Sequence, residues 1–343
     1  IEEERCYICG NSLEYMIEKY SRSVADLILQ EGLSSFLIGI LPSKDMVSRE
    51  KEVAKELKLK FWESVKNELK REIGKRVRDL TNINPNFEDP DATIIIDMDR
   101  NTVRIEIPSL LFFGTYWKLG RRISQVPWIK SDGTKKYPLS IEEILQKAAE
   151  LVNAERAIFH AAGREDVDVR MLGSGRPFVL ELYKPKKRSI DMKLLEQAVN
   201  NLTPWIKISL DMRVHREFIA KIKSSATRGY KIYRALVATR NPIDSEDLKN
   251  LEEFFKNRVI EQWTPLRVIK RRKNILRRRR VLEVKTLQLD SNIFEALIKC
   301  EGGLYVKELI SGDLGRTTPS FSEVLKTEAT CIELDVVYVQ KYI

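Results

Sequence analysis

The 343-residue chain is 43% hydrophobic and 32% charged, which supplies enough apolar material for two ordinary domain cores and excludes a disordered protein. It carries 60 Lys and Arg against 50 Asp and Glu, and the resulting net charge of +10 suits a polyanionic partner without identifying it. No run approaches the roughly 18 consecutive apolar residues of a membrane span, so we expect a soluble protein.

The N-terminal segment contains a possible half of a metal site. Its acidic start lacks Met and an apolar stretch, which is unlike a signal peptide and leaves open whether further residues precede Ile1. Cys6 and Cys9 form a CxxC pair that can supply two of the four ligands of a tetrahedral zinc site. No second CxxC is present, so the predicted zinc site is incomplete, and an incidental pair is an equally open interpretation.

The first part of the chain predicts a small α/β unit. A helical pattern is followed by the apolar strand Phe36–Leu41, which stops at Pro42. A hairpin is predicted over residues 93–97 and 102–107. Between them, apolar residues recur every fourth position, as in one long amphipathic helix: Val53, Leu57, Phe61, Val65 and Leu69. We predict a first domain over residues 1–126, followed by a linker-like segment at 127–138.

The second domain, residues 127–343, predicts an α+β fold. Ser140 and Glu143 form a capping box for a helix over residues 141–152. Short strands and helices then alternate without βαβα regularity, which favours a largely antiparallel mixed sheet with helices packed on it. The predicted strands include 170–172, 178–183, 206–212, 233–239, 280–289 and 333–339, and the predicted helices include 192–200, 215–225 and 244–258.

The densest polar segment lies between residues 160 and 178. Gly163 allows a tight turn before a charged triplet, and Asp166 and Asp168 would share one side if a strand begins there. Carboxylates and arginines this close together indicate a site, although ordinary surface ion pairs give the same pattern. The string over residues 163–178, GREDVDVRMLGSGRPF, resembles the signature of the tenth family of pseudouridine synthases, whose archaeal and eukaryotic members act on tRNA.

The resemblance extends over nearly the whole chain. Further matching segments are KIYRAL at 231–236, QWTPLRV at 262–268 and the stretch from Gly303 to Ser320. It implies a pseudouridine synthase fold preceded by a smaller THUMP-like α/β domain that helps to hold tRNA. It also implies an archaeal, cytoplasmic isomerase that converts uridine-54 and uridine-55 in the TΨC arm.

Three residue roles follow from the resemblance. Asp166 matches the catalytic aspartate that acts while the uracil is detached, rotated and rejoined through carbon. Tyr233 matches the tyrosine that stacks on the target base, and Lys307 stands where related enzymes have an arginine. Such a cation would favour the ionised form of Asp166 in a partly dry pocket.

Further contacts are expected around the target nucleotide. Leu325 best matches the apolar residue beneath the uracil, with Leu334 as the second choice, and Arg164 and Arg267 are expected to bind substrate. Relatives carry an earlier CxxC that would complete a four-cysteine zinc site, whereas this chain begins after it.

A basic segment predicts the grip on RNA. Residues 267–280 contain nine basic and no acidic residues, interrupted by apolar pairs, which predicts a projecting hairpin around residues 262–285. Phosphate contacts from such a hairpin would supply affinity and salt dependence. The residues expected to contact RNA are Arg271, Arg272, Arg277, Arg278, Arg279 and Arg280.

The expected partner is tRNA, with no membrane and no small-molecule cofactor, because isomerisation requires neither a redox carrier nor a metal. The oligomeric state stays open, and a monomer is favoured. A non-catalytic THUMP-type tRNA-binding protein is the alternative, which the GRED loop together with Tyr233 and Lys307 argues against. An RNA methyltransferase or thiolase would need a longer glycine-rich loop than residues 173–175 provide.

Overall fold

The computed structural model describes residues 5–225 and 229–341. The chain divides into two compact units. The first comprises the residues up to Ser109 together with Lys184–Arg188, and the second comprises Leu110–Tyr183 and the chain from Ser189 onward. No helix in the described ranges is long and apolar enough to cross a membrane.

The first unit packs helices against a three-stranded sheet, in which the strands Phe36–Leu41 and Ala92–Asp97 are parallel and the strand Thr102–Glu106 is antiparallel to the second of them. Its core includes Phe36, Leu69 and Ile94, all fully buried. The predicted strand and hairpin are confirmed. The elements are α1 (Leu13–Glu31), β1 (Phe36–Leu41), α2 (Lys44–Glu56), α3 (Val65–Thr81), β2 (Ala92–Asp97) and β3 (Thr102–Glu106).

The prediction of one long helix is wrong, because a non-helical segment separates α2 from α3. Lys58 adopts a left-handed φ of 50°, and the Leu59 amide donates to the Ala54 carbonyl at 2.9 Å, which closes the end of α2. Ser64 then begins α3 by accepting a hydrogen bond from the Asn67 amide. The four-residue apolar repeat continues across the break and therefore cannot reveal it.

The strands of the second unit are β4 (Leu110–Lys118), β5 (Ile123–Ser124), β6 (Leu139–Ser140), β7 (Arg156–Ala161), β8 (Arg170–Tyr183), β9 (Ile206–Arg213), β10 (Tyr230–Thr239), β11 (Arg258–Trp263), β12 (Leu276–Asp290), β13 (Ile293–Glu301), β14 (Thr317–Thr318) and β15 (Ala329–Val339). The short strands β5 and β6 form a separate parallel pair. Within the described residues, the other ten strands form one sheet in the order β14-β11-β12-β13-β10-β15-β8-β4-β9, with β7 also paired to β8. Its pairs are antiparallel except β15 with β8, which confirms the predicted largely antiparallel mixed sheet.

Helices cover this sheet and bury a large apolar core that includes Phe178, Leu251 and Phe294. The predicted capping residue Ser140 accepts a hydrogen bond from the Glu143 amide at the start of α4. The helices are α4 (Ile141–Leu151), α5 (Met192–Asn200), α6 (Glu217–Ser225), α7 (Ser245–Phe255), α8 (Val306–Ser311) and α9 (Phe321–Val324).

The structure corrects the predicted boundary between domains 1–126 and 127–343. Strand β4, which the prediction placed in the first domain, pairs with β8 and β9 of the large sheet, so the second unit begins at Leu110. The segment 127–138 is not a linker between units but a loop of the second unit, where the rings of Trp128 and Tyr137 meet edge to face at 5.7 Å.

Candidate active site

The loop between β7 and β8, residues 162–169, carries the predicted catalytic carboxylate. Sequence reasoning allowed Asp166 and Asp168 to start a strand, but this segment is a turn in which the Val169 amide donates to the Asp166 carbonyl at 3.1 Å. Gly163 has a φ of 86° where the chain leaves β7. The Asp166 side chain is 36% exposed and is therefore accessible from solvent.

The buried side chain of Lys118, at the end of β4, holds this loop through hydrogen bonds to its backbone. Its ammonium donates to the carbonyl oxygens of Asp166 at 2.9 Å, Val167 at 3.3 Å and Ile123 at 3.1 Å. Burial lowers the pKa of Lys118, and the Glu165 carboxylate at 3.6 Å acts in the opposite sense. Charge-assisted hydrogen bonds of this kind hold the backbone at Asp166 in place.

Glu165 is buried, with 7% of its surface exposed. Its carboxylate accepts hydrogen bonds from the Tyr116 hydroxyl at 2.8 Å and from Arg176 Nε at 3.1 Å. Arg176 also donates to the Ala162 carbonyl at 3.2 Å. Because Arg176 is only 1% exposed, its charge depends on these partners.

Sequence reasoning missed Lys118, Glu165 and Arg176 as positioning residues. Lys118 is the one charged residue of the buried strand β4, and Arg176 lies in β8, most of which is buried. A charged residue in a buried strand needs a buried partner, so these two positions could have indicated a buried ion pair. The signal does not say which carboxylate pairs with it.

Two cations reach the Asp166 carboxylate. Arg267 Nη2 lies 2.8 Å from Asp166 Oδ2, whereas Lys307 Nζ lies 3.9 Å from the same oxygen. Lys307 is 2.6 Å from Asp168 instead. Burial acts to raise the pKa of Asp168, but the Lys307 hydrogen bond and charge outweigh it and the pKa falls. Arg267 is therefore the nearer counter-ion of Asp166, in place of the expected Lys307.

A cavity of about 380 Å³ opens in front of Asp166. This volume falls in the range of ligand pockets, roughly 300–1,000 Å³. Tyr233 on β10 and Leu334 and Val336 on the adjacent strand β15 contribute to its lining. Burial raises the pKa of Tyr233, so its phenol is neutral at physiological pH. The cavity thus combines a carboxylate, an aromatic ring and an apolar surface.

The predicted apolar contact Leu325 does not line this cavity. It lies directly after α9, is 9% exposed and belongs to the core of the second unit. The second choice, Leu334, does line the cavity, and its carbonyl accepts a hydrogen bond from Arg121 at 2.9 Å. The geometry therefore favours Leu334 for this role.

Lys231 also lines the cavity, two residues before Tyr233. Burial, together with the nearby charge of Arg176, lowers the pKa of Lys231 to about 8. Lys231 is thus mostly protonated at neutral pH and adds positive charge to the cavity.

The four arginines at the start of β12 divide between two faces of the sheet, because successive side chains of a strand point to opposite sides. Arg277 and Arg279 line the cavity. Arg278 pairs with Glu261 at 2.8 Å, and the Arg280 guanidinium donates to a backbone carbonyl at 2.8 Å. Of these four arginines, Arg277 and Arg279 face the cavity.

The predicted basic hairpin at 262–285 is present but does not project. Strands β11 and β12 pair antiparallel, as expected, yet β12 also pairs with β13 and β11 with β14, which makes the hairpin part of the large sheet. The loop 264–275 connects the two strands and includes a 3₁₀ turn, Leu266–Arg271.

Three other predicted arginines lie near this loop or the GRED segment. Arg272 lines the cavity and donates to the Tyr305 hydroxyl at 2.9 Å. Arg164 lines the cavity and is exposed. Arg271 does not line the cavity, and its guanidinium lies 4.4 Å from the centre of the Trp128 ring.

The Cys6 and Cys9 pair lies in a turn at the start of the first unit, with Cys6 exposed and Cys9 partly so. Hydrogen bonding to Cys9 lowers the pKa of Cys6. Among the residues that the structure describes, no group of three or more His, Cys, Asp or Glu could hold a metal ion. Two thiols do not complete a tetrahedral zinc site, so the described residues do not fit bound zinc.

The chain matches one protein family over both units. Residues 111–340 match the family model described as Pus10, C-terminal, and residues 20–97 match the Pus10 THUMP domain, archaeal. A solved Cbf5-Nop10-Gar1 complex is similar at a TM-score of 0.36 and 16% identity, over 65% of this chain and 47% of that chain. That likeness is too small to carry over any residue.

Curated archaeal proteins are similar over almost the whole chain. The tRNA pseudouridine synthase Pus10 of Ignisphaera aggregans is 52% identical over 338 residues, which cover 98% of this chain and 79% of that protein. The protein of the same name in Methanocaldococcus jannaschii is 40% identical over 349 residues, which cover 98% and 75%. The chain therefore belongs to the Pus10 family of tRNA pseudouridine synthases.

Proposed function

We propose that this protein isomerises uridine to pseudouridine at positions 54 and 55 in the TΨC arm of tRNA, with Asp166 as the catalytic carboxylate. The observation that carries the proposal is the placement of Asp166. It stands on a loop fixed by Lys118 and faces a cavity that also contains Tyr233 and Leu334.

The reaction breaks the bond between uracil N1 and ribose C1′ and forms one between C5 and C1′. The proton on C5 leaves to solvent and N1 gains one, so the isomerisation is redox-neutral. A carboxylate that attacks carbon or removes a proton must be ionised in either case. Arg267 Nη2, 2.8 Å from Asp166 Oδ2, is the counter-charge closest to this carboxylate among the described residues.

The cavity suits a nucleotide turned out of a folded RNA. A base inside the TΨC arm must leave its stack before the glycosidic bond can be reached. The ring of Tyr233 would then replace lost stacking, and Leu334 would contact the uracil as an apolar surface. A neutral phenol is the form that can stack without adding charge next to Asp166.

The arginines that line the cavity bind the phosphate backbone of the RNA. Arg164, Arg272, Arg277 and Arg279 line the cavity and have no carboxylate partner within the described residues. Guanidinium groups bind phosphate through paired hydrogen bonds. We assign the THUMP domain to the same tRNA and expect the enzyme to act in the cytoplasm, where that substrate is found.

Two isosteric substitutions in one loop test the catalytic assignment. D166N should lower the rate of tritium release from carbon 5 of uridine in a tRNA transcript by about 10⁴-fold or more, because it removes the reacting charge. D168N should reduce the rate much less, because Asp168 pairs with Lys307 and faces solvent.

The alternative, a non-catalytic tRNA-binding protein, makes a different prediction for the same assay. Wild-type protein would then bind the transcript without releasing tritium, and D166N would bind equally well. Near-normal release by D166N would instead reject Asp166 while leaving the isomerase activity in place.

A further inference from the structure

Arg267 is held from two sides by carboxylates. Its Nη2 lies 2.8 Å from Asp166 Oδ2, and its Nε donates to Glu308 Oε1 at 2.6 Å. Glu308 lies on α8 and is 4% exposed. The guanidinium therefore forms a bridge between the proposed catalytic carboxylate and a buried one.

The bridge determines where the Arg267 side chain points. Arg267 lies in the loop 264–275 and is 36% exposed, so without an anchor it would sample many rotamers. Burial acts to lower the pKa of Arg267, but Glu308 and Asp166 outweigh it and raise the pKa, which keeps the guanidinium charged. Because Arg267 Nε donates to Glu308, the terminal nitrogen Nη2 contacts Asp166.

The surroundings of Glu308 do not explain it as an ordinary structural ion. Its second oxygen, Oε2, is buried and has no hydrogen-bond partner among the described residues. Buried structural carboxylates usually have their oxygens satisfied. Within the described residues, Glu308 forms its ion pair with Arg267, so its buried carboxylate is directed at that residue.

We infer that Glu308 is a positioning residue of the reaction, which holds the Arg267 guanidinium against Asp166 so that the carboxylate meets the ribose in one orientation. Glu308 does not line the cavity, so its effect must pass through Arg267. The inference rests on the proposed function and adds a residue that the sequence did not single out.

The test uses the full chain under single-turnover conditions, with tritium release from a uridine-labelled tRNA transcript. E308Q keeps the size of the side chain and removes its charge. We expect E308Q to slow the rate about tenfold, because the bridge loses its orientation, while the Kd for tRNA stays within twofold of wild type. In an R267Q background, E308Q should cause no further loss.

Two other variants separate positioning from folding. R267K keeps the charge but cannot reach both carboxylates as a fork does, so its rate should fall as far as that of E308Q although the Glu308 side chain itself is unaltered. E181Q is the matched control: Glu181 is 1% exposed, pairs with Arg216 at 2.9 Å and lies outside the cavity lining. E181Q should lower thermal stability but leave the rate unchanged.

Three outcomes would overturn the inference. They are an unchanged rate in both E308Q and R267K, an additive loss in the R267Q background, and a loss of rate explained by an equal loss of tRNA affinity. Failure of the proposed function is distinguishable, because wild-type protein would then release no tritium at all.

Discussion

The double variant R277Q/R279Q should weaken tRNA binding, whereas R278Q/R280Q should change it little. Each removes two positive charges from the same strand, so the net charge of +10 falls equally in both. The two differ in the face of the strand that they alter. Arg277 and Arg279 line the cavity, while Arg278 is bound to Glu261 and Arg280 to a backbone carbonyl.

The expected magnitude follows from the release of counterions. Each phosphate contact contributes about 0.7–0.9 to the slope of log K against log salt concentration, so two contacts contribute about 1.5. If the affinities of variant and wild type converge near 1 M salt, R277Q/R279Q should bind about thirtyfold more weakly at about 0.1 M. An effect of overall charge alone would be the same for both double variants.

The assay is equilibrium binding of an unmodified tRNA transcript at a series of salt concentrations, with circular dichroism to verify the fold of each variant. The slope for R277Q/R279Q should be shallower by about 1.5, and that for R278Q/R280Q within about 0.5 of wild type. Equal slopes for the two variants would refute the division of the arginines by strand face.

Two further variants test the interior of the second unit. R176M leaves the buried Glu165 without its guanidinium partner and should lower the free energy of unfolding by about 3–5 kcal/mol in urea denaturation; wild-type stability would contradict this. For Lys231, the folded state releases its proton near pH 8 and the unfolded chain near 10.4. The stability of wild type relative to K231M should therefore rise with pH between these values, and a constant difference in urea denaturation would contradict the lowered pKa.

The sequence predicted elements whose pattern is local. The strand Phe36–Leu41, the helix Met192–Asn200 and the cap at Ser140 follow from apolar periodicity and side-chain hydrogen bonds within a few residues. The break before α3 could not be predicted because its apolar repeat stays in phase. The strand β13 was missed, since its alternation of buried and exposed residues is read correctly only when its neighbours β10 and β12 are known.

The site was predicted in part. The motif located Asp166 and Tyr233, and the structure brings both to one cavity. The identity of the nearest cation could not be predicted, because Arg267 and Lys307 are both far from Asp166 in sequence and only the fold sets their distances. The same reason explains Leu325, which the family resemblance placed beneath the base but which packs in the core.

The basic segment shows what strand geometry adds to composition. Nine cations within residues 267–280 predict contact with a polyanion, but composition does not say which of the nine side chains make that contact. Pairing of β12 with β11 and β13 fixes which side each arginine faces, and carboxylates such as Glu261 neutralise the other face. The number of cations available to RNA is therefore smaller than the sequence suggests.

The central claim is tested most directly by mapping pseudouridine in one unmodified tRNA transcript after incubation with wild-type protein or D166N. Carbodiimide treatment followed by primer extension marks each modified position. We predict stops that report pseudouridine at positions 54 and 55 with wild type and none with D166N. The absence of both stops with wild type, or their undiminished presence with D166N, would contradict the account.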